Sequence, residues 1–238
     1  MDQQETVFLA LPSYGGQIHC TAALSLLRAT RRPVQIMNND SSALAHGFNI
    51  LWASAAISDK TYWAMLHSDI GPPPFWVDTL INVMQETGAD VVSALSPIKS
   101  NERAYSTALI PRRGDDFDAV RIHDVHLHQL PETFFTSDLI RLFDHDGIMG
   151  VNTGCWVCRI GPWMRDLCFE VETWIDWKQS PPLCRFLSED WEFSRKCHNL
   201  GLQVACTRRL DLSHAGMGFW FAKSYEKCQD VPSETKAG

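Results

Sequence analysis

Apolar and polar positions in the first half of the chain fall into blocks that switch between a strand period and a helix period. Thr6–Leu11 is a short apolar run ending in Pro12-Ser13-Tyr14-Gly15-Gly16, which predicts a buried strand and a tight turn. Ile18, Ala22, Leu24, Leu26 and Leu27 predict a helix over Gln17–Ala29, broken at Arg31-Arg32-Pro33. Val34–Met37 reads as a second strand, and Asn38-Asn39-Asp40-Ser41-Ser42 supplies turn chemistry and a helix N-cap. Leu44, Phe48, Leu51, Trp52 and Ala55 then fall at helical spacing over Ala43–Ile57. The run Trp63-Ala64-Met65-Leu66 is long enough for one buried strand and stops at His67, Ser68 and Asp69, after which Pro72-Pro73-Pro74 forbids a continuing ladder. A helix over Phe75–Thr87, closed by Gly88, and a strand over Val91–Leu95 follow. These strand–helix units with short connections predict an α/β fold with a mostly parallel sheet and helices on both faces.

The second half is less regular. Tyr105–Ile110 and Val120–His123 read as strands around the turn 112–118, and Val151–Ile160 as another strand. A helix is expected over Trp163–Trp174. Another starts at Ser188, with Phe193, Cys197 and Leu200 on one face and Gly201 as its stop. A strand over Leu202–Cys206 comes next.

Composition narrows the class. With 238 residues, 45% hydrophobic and 21% charged, one domain with a sizeable core is expected. No run of eighteen apolar residues is present, so no membrane span is expected. The acidic start MDQQET passes directly into VFLAL, unlike a secretory leader, and a cytoplasmic location is expected. Eight cysteines in that setting point to reduced, buried thiols. Cys155 and Cys158 form a CxxC, but residues three apart on a strand face opposite ways, which argues against a shared zinc. A formal charge of −7 argues against broad nucleic-acid binding, leaving Arg31-Arg32, Arg112-Arg113 and Arg208-Arg209 as the basic pairs.

Several groups carry candidate chemistry. Asp69, at the C-terminal end of a buried strand, could hold a hard cation against a phosphate, or only cap a loop. Glu189 and Asp190 sit in a first helical turn, where the helix dipole favours acids by about 0.3–1 kcal/mol each; one of them facing a cleft could act as a general base. His214 stands beside Ala215-Gly216, with room for a ligand near its ring. His123, His126 and His128 invite a metal but fit ordinary surface histidines better. Asp144-His145-Asp146-Gly147 reads as a loop. Trp156, Trp163, Phe169, Trp174 and Trp177 are dense enough that any exposed members could stack on a sugar or base.

Taken together and in order, LALPSYGG, AHGFNILWASAAISDKTYWAMLHSDIGPPPFWVDTLI, SEDWEFSRKCHNLG and LSHAG resemble the GT-A nucleotide-sugar-dependent glycosyltransferases, from about Val7 to Gly216. The resemblance implies one GT-A domain over 1–238, with a nucleotide-sugar half over 1–100, an acceptor and catalytic half over 101–222, and a tail over 223–238. It implies that Asp69 and His214 hold Mn2+ or Mg2+, and that Asp190, with Glu189 as second candidate, is the base of an inverting transfer. Pro12, Ser13, Tyr14, Asp40, Asn49, His67 and Ser68 would then surround the donor, a UDP-sugar. Asn152, Thr153, Gly154 and Trp156, with Trp163 and the segment from Trp174 to Phe186, would face an acceptor whose class (glycan, small molecule, protein or modified nucleobase) stays open. His67 stands where the family carries the first acid of its DxD motif, which weakens metal chelation; histidine can still ligate manganese or bond a ribose. A nucleotide-sugar-binding regulatory protein on this fold and a nucleotidyltransferase are the competing readings.

Overall fold

The computed structural model describes residues 4–100, 102–112, 118–178 and 180–215, and the backbone of Phe219–Phe221. A seven-stranded sheet lies at its centre, in the order Val34–Asp40, Val7–Ser13, Tyr62–Leu66, Cys155–Arg159, Val91–Ala94, Val204–Thr207 and Thr133–Phe135. Five of these strands run one way; Cys155–Arg159 and Thr133–Phe135 run against their neighbours. The fold is a mixed, Rossmann-like α/β architecture with a mostly parallel central sheet.

Strand alternation divides the core in two. Phe8, Ala10, Trp63, Met65, Trp156 and Cys158 face one side, while Val7, Leu9, Tyr62, Ala64, Leu66, Cys155 and Val157 face the other. Cys155 and Cys158 therefore lie in different cores, as the strand period required. Helix α2 (Leu44–Ala56) covers the first face with Phe48, Leu51, Trp52 and Ala55. Helices α1 (Cys20–Leu26) and α3 (Trp76–Thr87) cover the second, and Gly88 closes α3 in the left-handed conformation at φ 73°. Helix α4 (Thr136–Phe143) adds Leu139, and α5 (Glu189–Asn199) adds Phe193 and Cys197, to the first core.

Several local expectations yield to tertiary pairing. The second strand runs on through Asn38, Asn39 and Asp40 because its ladder with the first strand continues to the Ser13–Asp40 pair. The expected helix over 17–29 shortens to α1, and Leu24 and Leu27 face solvent. The expected strand 151–160 shortens to Cys155–Arg159; a separate strand, Ile148–Gly150, precedes it, with a loop carrying Asn152 and Thr153 between them. In place of a helix over 163–174 there is a 3-10 turn, Pro162–Asp166, followed by the hairpin Glu172–Asp176/Leu183–Leu187. Ser188 is the N-cap residue of α5, yet its side chain makes no cap hydrogen bond. The seven described cysteines are free thiols, but Cys20, Cys168 and Cys184 are exposed rather than buried. Among the described residues no helix is long and apolar enough to cross a membrane.

On α5, Arg195 is buried and ion-paired to both Glu172 and Glu192, and Glu192 is itself buried. Arg195→Ala would leave Glu192 without its cation, so the expected loss is about 3–5 kcal/mol of folding free energy, measured by urea denaturation.

Candidate active site

The site begins where the strand Tyr62–Leu66 ends. His67 N–H donates to the Gly154 carbonyl at 2.8 Å and Ile70 N–H to the His67 carbonyl at 3.2 Å, which turns the chain sharply. Ile70–Gly71 then pairs antiparallel with Ser213–Ala215, and Ala215 N–H donates to the Asp69 carbonyl at 2.8 Å. That small ladder carries His214 Nε2 to 3.7 Å from Asp69 Oδ2. His214 Nδ1 lies 2.7 Å from the Pro97 carbonyl. A carbonyl only accepts, so Nδ1 carries a proton, and Nε2 is the ring nitrogen turned toward the carboxylate.

Charge at the tip is concentrated on Asp69. Burial alone would raise its carboxyl, but His214 and the ammonium of Lys99, which pairs with Oδ2, outweigh that and hold it well below the usual carboxylate range. Burial pushes the His67 imidazole down to about 4, so the ring is neutral at neutral pH. Its Nε2 is buried without a hydrogen-bond partner among the described residues, and the ring packs 5.1 Å from Phe48.

The second carboxylate is joined to this tip by residues 152–154. Asn152 Nδ2 donates to Asp190 Oδ2 at 3.0 Å, and the Thr153 hydroxyl donates to Oδ1. Asn152 Oδ1 accepts from Gly154 N–H at 2.8 Å, and Gly154 in turn holds His67. Ser194 Oγ fixes the helix end to the same loop, accepting from Val151 N–H at 3.0 Å and donating to the Asp190 carbonyl at 2.8 Å. Burial first, and then the neighbouring Glu189 carboxylate, push Asp190 up to about 7 despite the bonds from Thr153 and Asn152. Burial raises Glu189 as well.

Gly154 is the tight point of this bridge. An added Cβ would meet Ile70 Cδ1 at 2.4 Å, Asn152 Oδ1 at 2.6 Å and His67 Nδ1 at 3.0 Å. Gly154→Ala is expected to push Asn152 and His67 apart and to cost about 1–3 kcal/mol, read by thermal unfolding.

The proposed donor residues group at the same edge. Ser13 and Asp40 form the last rung of their strand pair, Ser41 N–H donates to the Ser13 carbonyl at 3.2 Å, and Asn38 Nδ2 donates to Ser13 Oγ at 3.0 Å. Pro12 is buried, Tyr14 is 72% exposed, and the Ser68 carbonyl accepts from His19 N–H at 2.7 Å. The strand Val7–Ser13 lies between Val34–Asp40 and Tyr62–Leu66, so these tips share the C-terminal edge where open α/β sheets bind ligands.

Other expectations are corrected. Asn49 commits its amide to the scaffold, donating to the Phe169 carbonyl at 2.8 Å and accepting from Phe169 N–H at 2.7 Å. Trp156 is fully buried, packed on Trp52 and Phe193, and cannot touch an acceptor; its strand position points it into the core. Thr153, also fully buried, orients Asp190 instead of meeting an acceptor. His126 and His128 belong to a 3-10 turn, Asp124–Gln129, that follows the strand ending at His123. Among the described residues the exposed aromatics are Tyr14 and, on or beside the hairpin that leads into α5, Trp174, Trp177 and Phe186. Arg32 pairs with Glu5 and Asp78, and Arg209 with Glu86 and Glu132, so one member of each of these basic pairs is tied to acids. Arg113 and Gly216 lie outside the described residues. Among the described residues, no three His, Cys, Asp or Glu side chains gather around one metal position. Lys99 escaped the sequence reading because it belongs to no motif; its place just beyond the strand Val91–Ala94, at the same sheet edge, was the available signal.

No family model matches the chain, and no curated protein matches it. Among solved structures, A197 from STIV is similar, with a TM-score of 0.51 and 16% identity over 89% of this chain and 86% of that chain. At that identity the likeness concerns the fold.

Proposed function

We propose that the chain is a GT-A-type glycosyltransferase that moves a sugar from a nucleotide-sugar donor to an acceptor hydroxyl with inversion. The observation that carries this reading is the convergence of Asp69 and His214, from distant parts of the sequence, at a sheet edge bridged by residues 152–154 to Asp190. The donor's base and ribose would lie along Pro12, Ser13, Tyr14 and Asp40, with its diphosphate toward Asp69.

One carboxylate oxygen and one imidazole lone pair form a donor set that suits Mn2+, and less well Mg2+, with diphosphate oxygens and water as further ligands. Such an ion supplies Lewis-acid stabilisation of the departing diphosphate. Asp190 accepts the proton of the acceptor hydroxyl as its oxygen bonds to the anomeric carbon. The bond from that carbon to the phosphate oxygen breaks, and its electron pair leaves on the nucleoside diphosphate. Asn152 and Thr153 hold the carboxylate in place, and burial keeps it basic enough to take a proton near neutral pH. His67, neutral where the family has an acid, does not repel the diphosphate.

The test is a screen of nucleotide-sugars, UDP-sugars first, against acceptor classes with Mn2+, reading nucleoside diphosphate release. Release of pyrophosphate would instead identify a nucleotidyltransferase. Tight donor binding without turnover would favour a regulatory binding protein, a reading that the Lys99–Asp69 pair and His67 support.

A further inference from the structure

The Lys99 ammonium rests on Asp69 Oδ2, the same oxygen that His214 Nε2 faces at 3.7 Å. With the carboxylate in this orientation, a cation shared with that imidazole would use this oxygen, so Lys99 stands in its way. The two features come from one loop: Pro97 fixes the histidine tautomer, and Lys99, two residues on, delivers the competing charge. Ile98 N–H anchors the loop to the Ala104 carbonyl at 3.0 Å. The Lys99 side chain is 37% exposed, so its flexible stem can swing the ammonium away without disturbing the core.

We propose that Lys99 is an internal counter-ion that keeps divalent cations off the free site and releases Asp69 when a nucleoside diphosphate arrives. The proposal rests on the transferase reading above. In the free protein the Asp69–Lys99 pair is neutral overall, and a divalent ion would have to displace an ammonium and stand beside it. A diphosphate attracts Lys99 Nζ to its own oxygens, and Asp69 Oδ2 and His214 Nε2 are then free to take the cation. Nucleotide and metal thus bind with positive coupling, part of which is carried by one side chain.

The experiment titrates the full chain with Mn2+, following free Mn2+ by electron paramagnetic resonance, and with UDP by calorimetry, in wild type, Lys99→Met and Lys99→Arg. Mn2+ alone is expected to bind Lys99→Met about tenfold more tightly than wild type, and UDP in EDTA about tenfold more weakly. Lys99→Arg should stay near wild type in both titrations. Adding Asp69→Asn to Lys99→Met should abolish the gain in Mn2+ affinity, which locates the ion, and thermal melts of each variant verify folding. If Lys99→Met binds Mn2+ no better than wild type while wild type still binds UDP with Mn2+, the counter-ion idea falls and the transferase reading stands. If wild type binds no nucleotide with or without Mn2+, both fall.

Discussion

Asp190→Asn should lower sugar transfer by about 10²–10⁴-fold while donor binding stays unchanged, because the amide oxygen can accept from Asn152 and the amide NH2 can donate to the Thr153 hydroxyl, but the side chain cannot take a proton. Steady-state transfer together with calorimetric donor titration separates the two effects. The wild-type rate should also rise with pH and level off above about 7, where Asp190 is ionised. Stability should move the other way. A carboxyl whose pKa is raised by folding holds its proton more tightly in the native state, so wild-type stability falls as pH climbs from the ordinary value near 3.8 toward about 7. Asparagine lacks that loss, and the variant's melting temperature should exceed that of wild type at pH 8. A less active but more stable variant is hard to explain by misfolding. Near-normal transfer by Asp190→Asn, or retention at the anomeric carbon, would remove the need for this base.

Asp69→Asn should cut nucleoside diphosphate release by about 10²-fold or more, since cation stabilisation of a leaving phosphate is worth several kcal/mol. Extra Mn2+ should not restore the rate. The backbone carbonyl of Asp69 still accepts from Ala215 N–H in the variant, so the ladder that brings in His214 should survive, and the circular dichroism spectrum should not change. Here the pH dependence has the opposite sign. Folding depresses the Asp69 carboxyl, so its stabilising interaction with Lys99 and His214 is present above the ordinary carboxylate value and is lost as pH falls below it. The half-exposed pair makes that contribution small next to the catalytic loss. Full activity in Asp69→Asn would place the diphosphate elsewhere.

Much of the scaffold was legible in the residues. The periods around Leu44–Ala56 and Trp76–Thr87, the stop at Gly88, and the fully apolar Tyr62–Leu66 specify their elements locally, because amphipathic spacing and a left-handed cap act over a few residues. The opposed directions of Cys155 and Cys158 follow from the strand period alone. Where the sequence misled, distant partners outweighed local propensity. A turn-like Asn38-Asn39-Asp40 became strand because Val7–Ser13 offered it a ladder, and an aromatic-rich 163–174 became a 3-10 turn and half a hairpin.

By itself, the amino-acid sequence determined that Asp69 follows the end of a buried strand and that Glu189 and Asp190 open a helix, since those ends are set by short-range periodicity. Tertiary structure alone decided that Asp69 and His214 meet across a two-rung ladder, that Asn152 and Thr153 orient Asp190, that Trp156 is core, and that Lys99 sits on Asp69. Those contacts join residues far apart in the chain, and no local pattern encodes a pairing that exists only once the sheet has assembled.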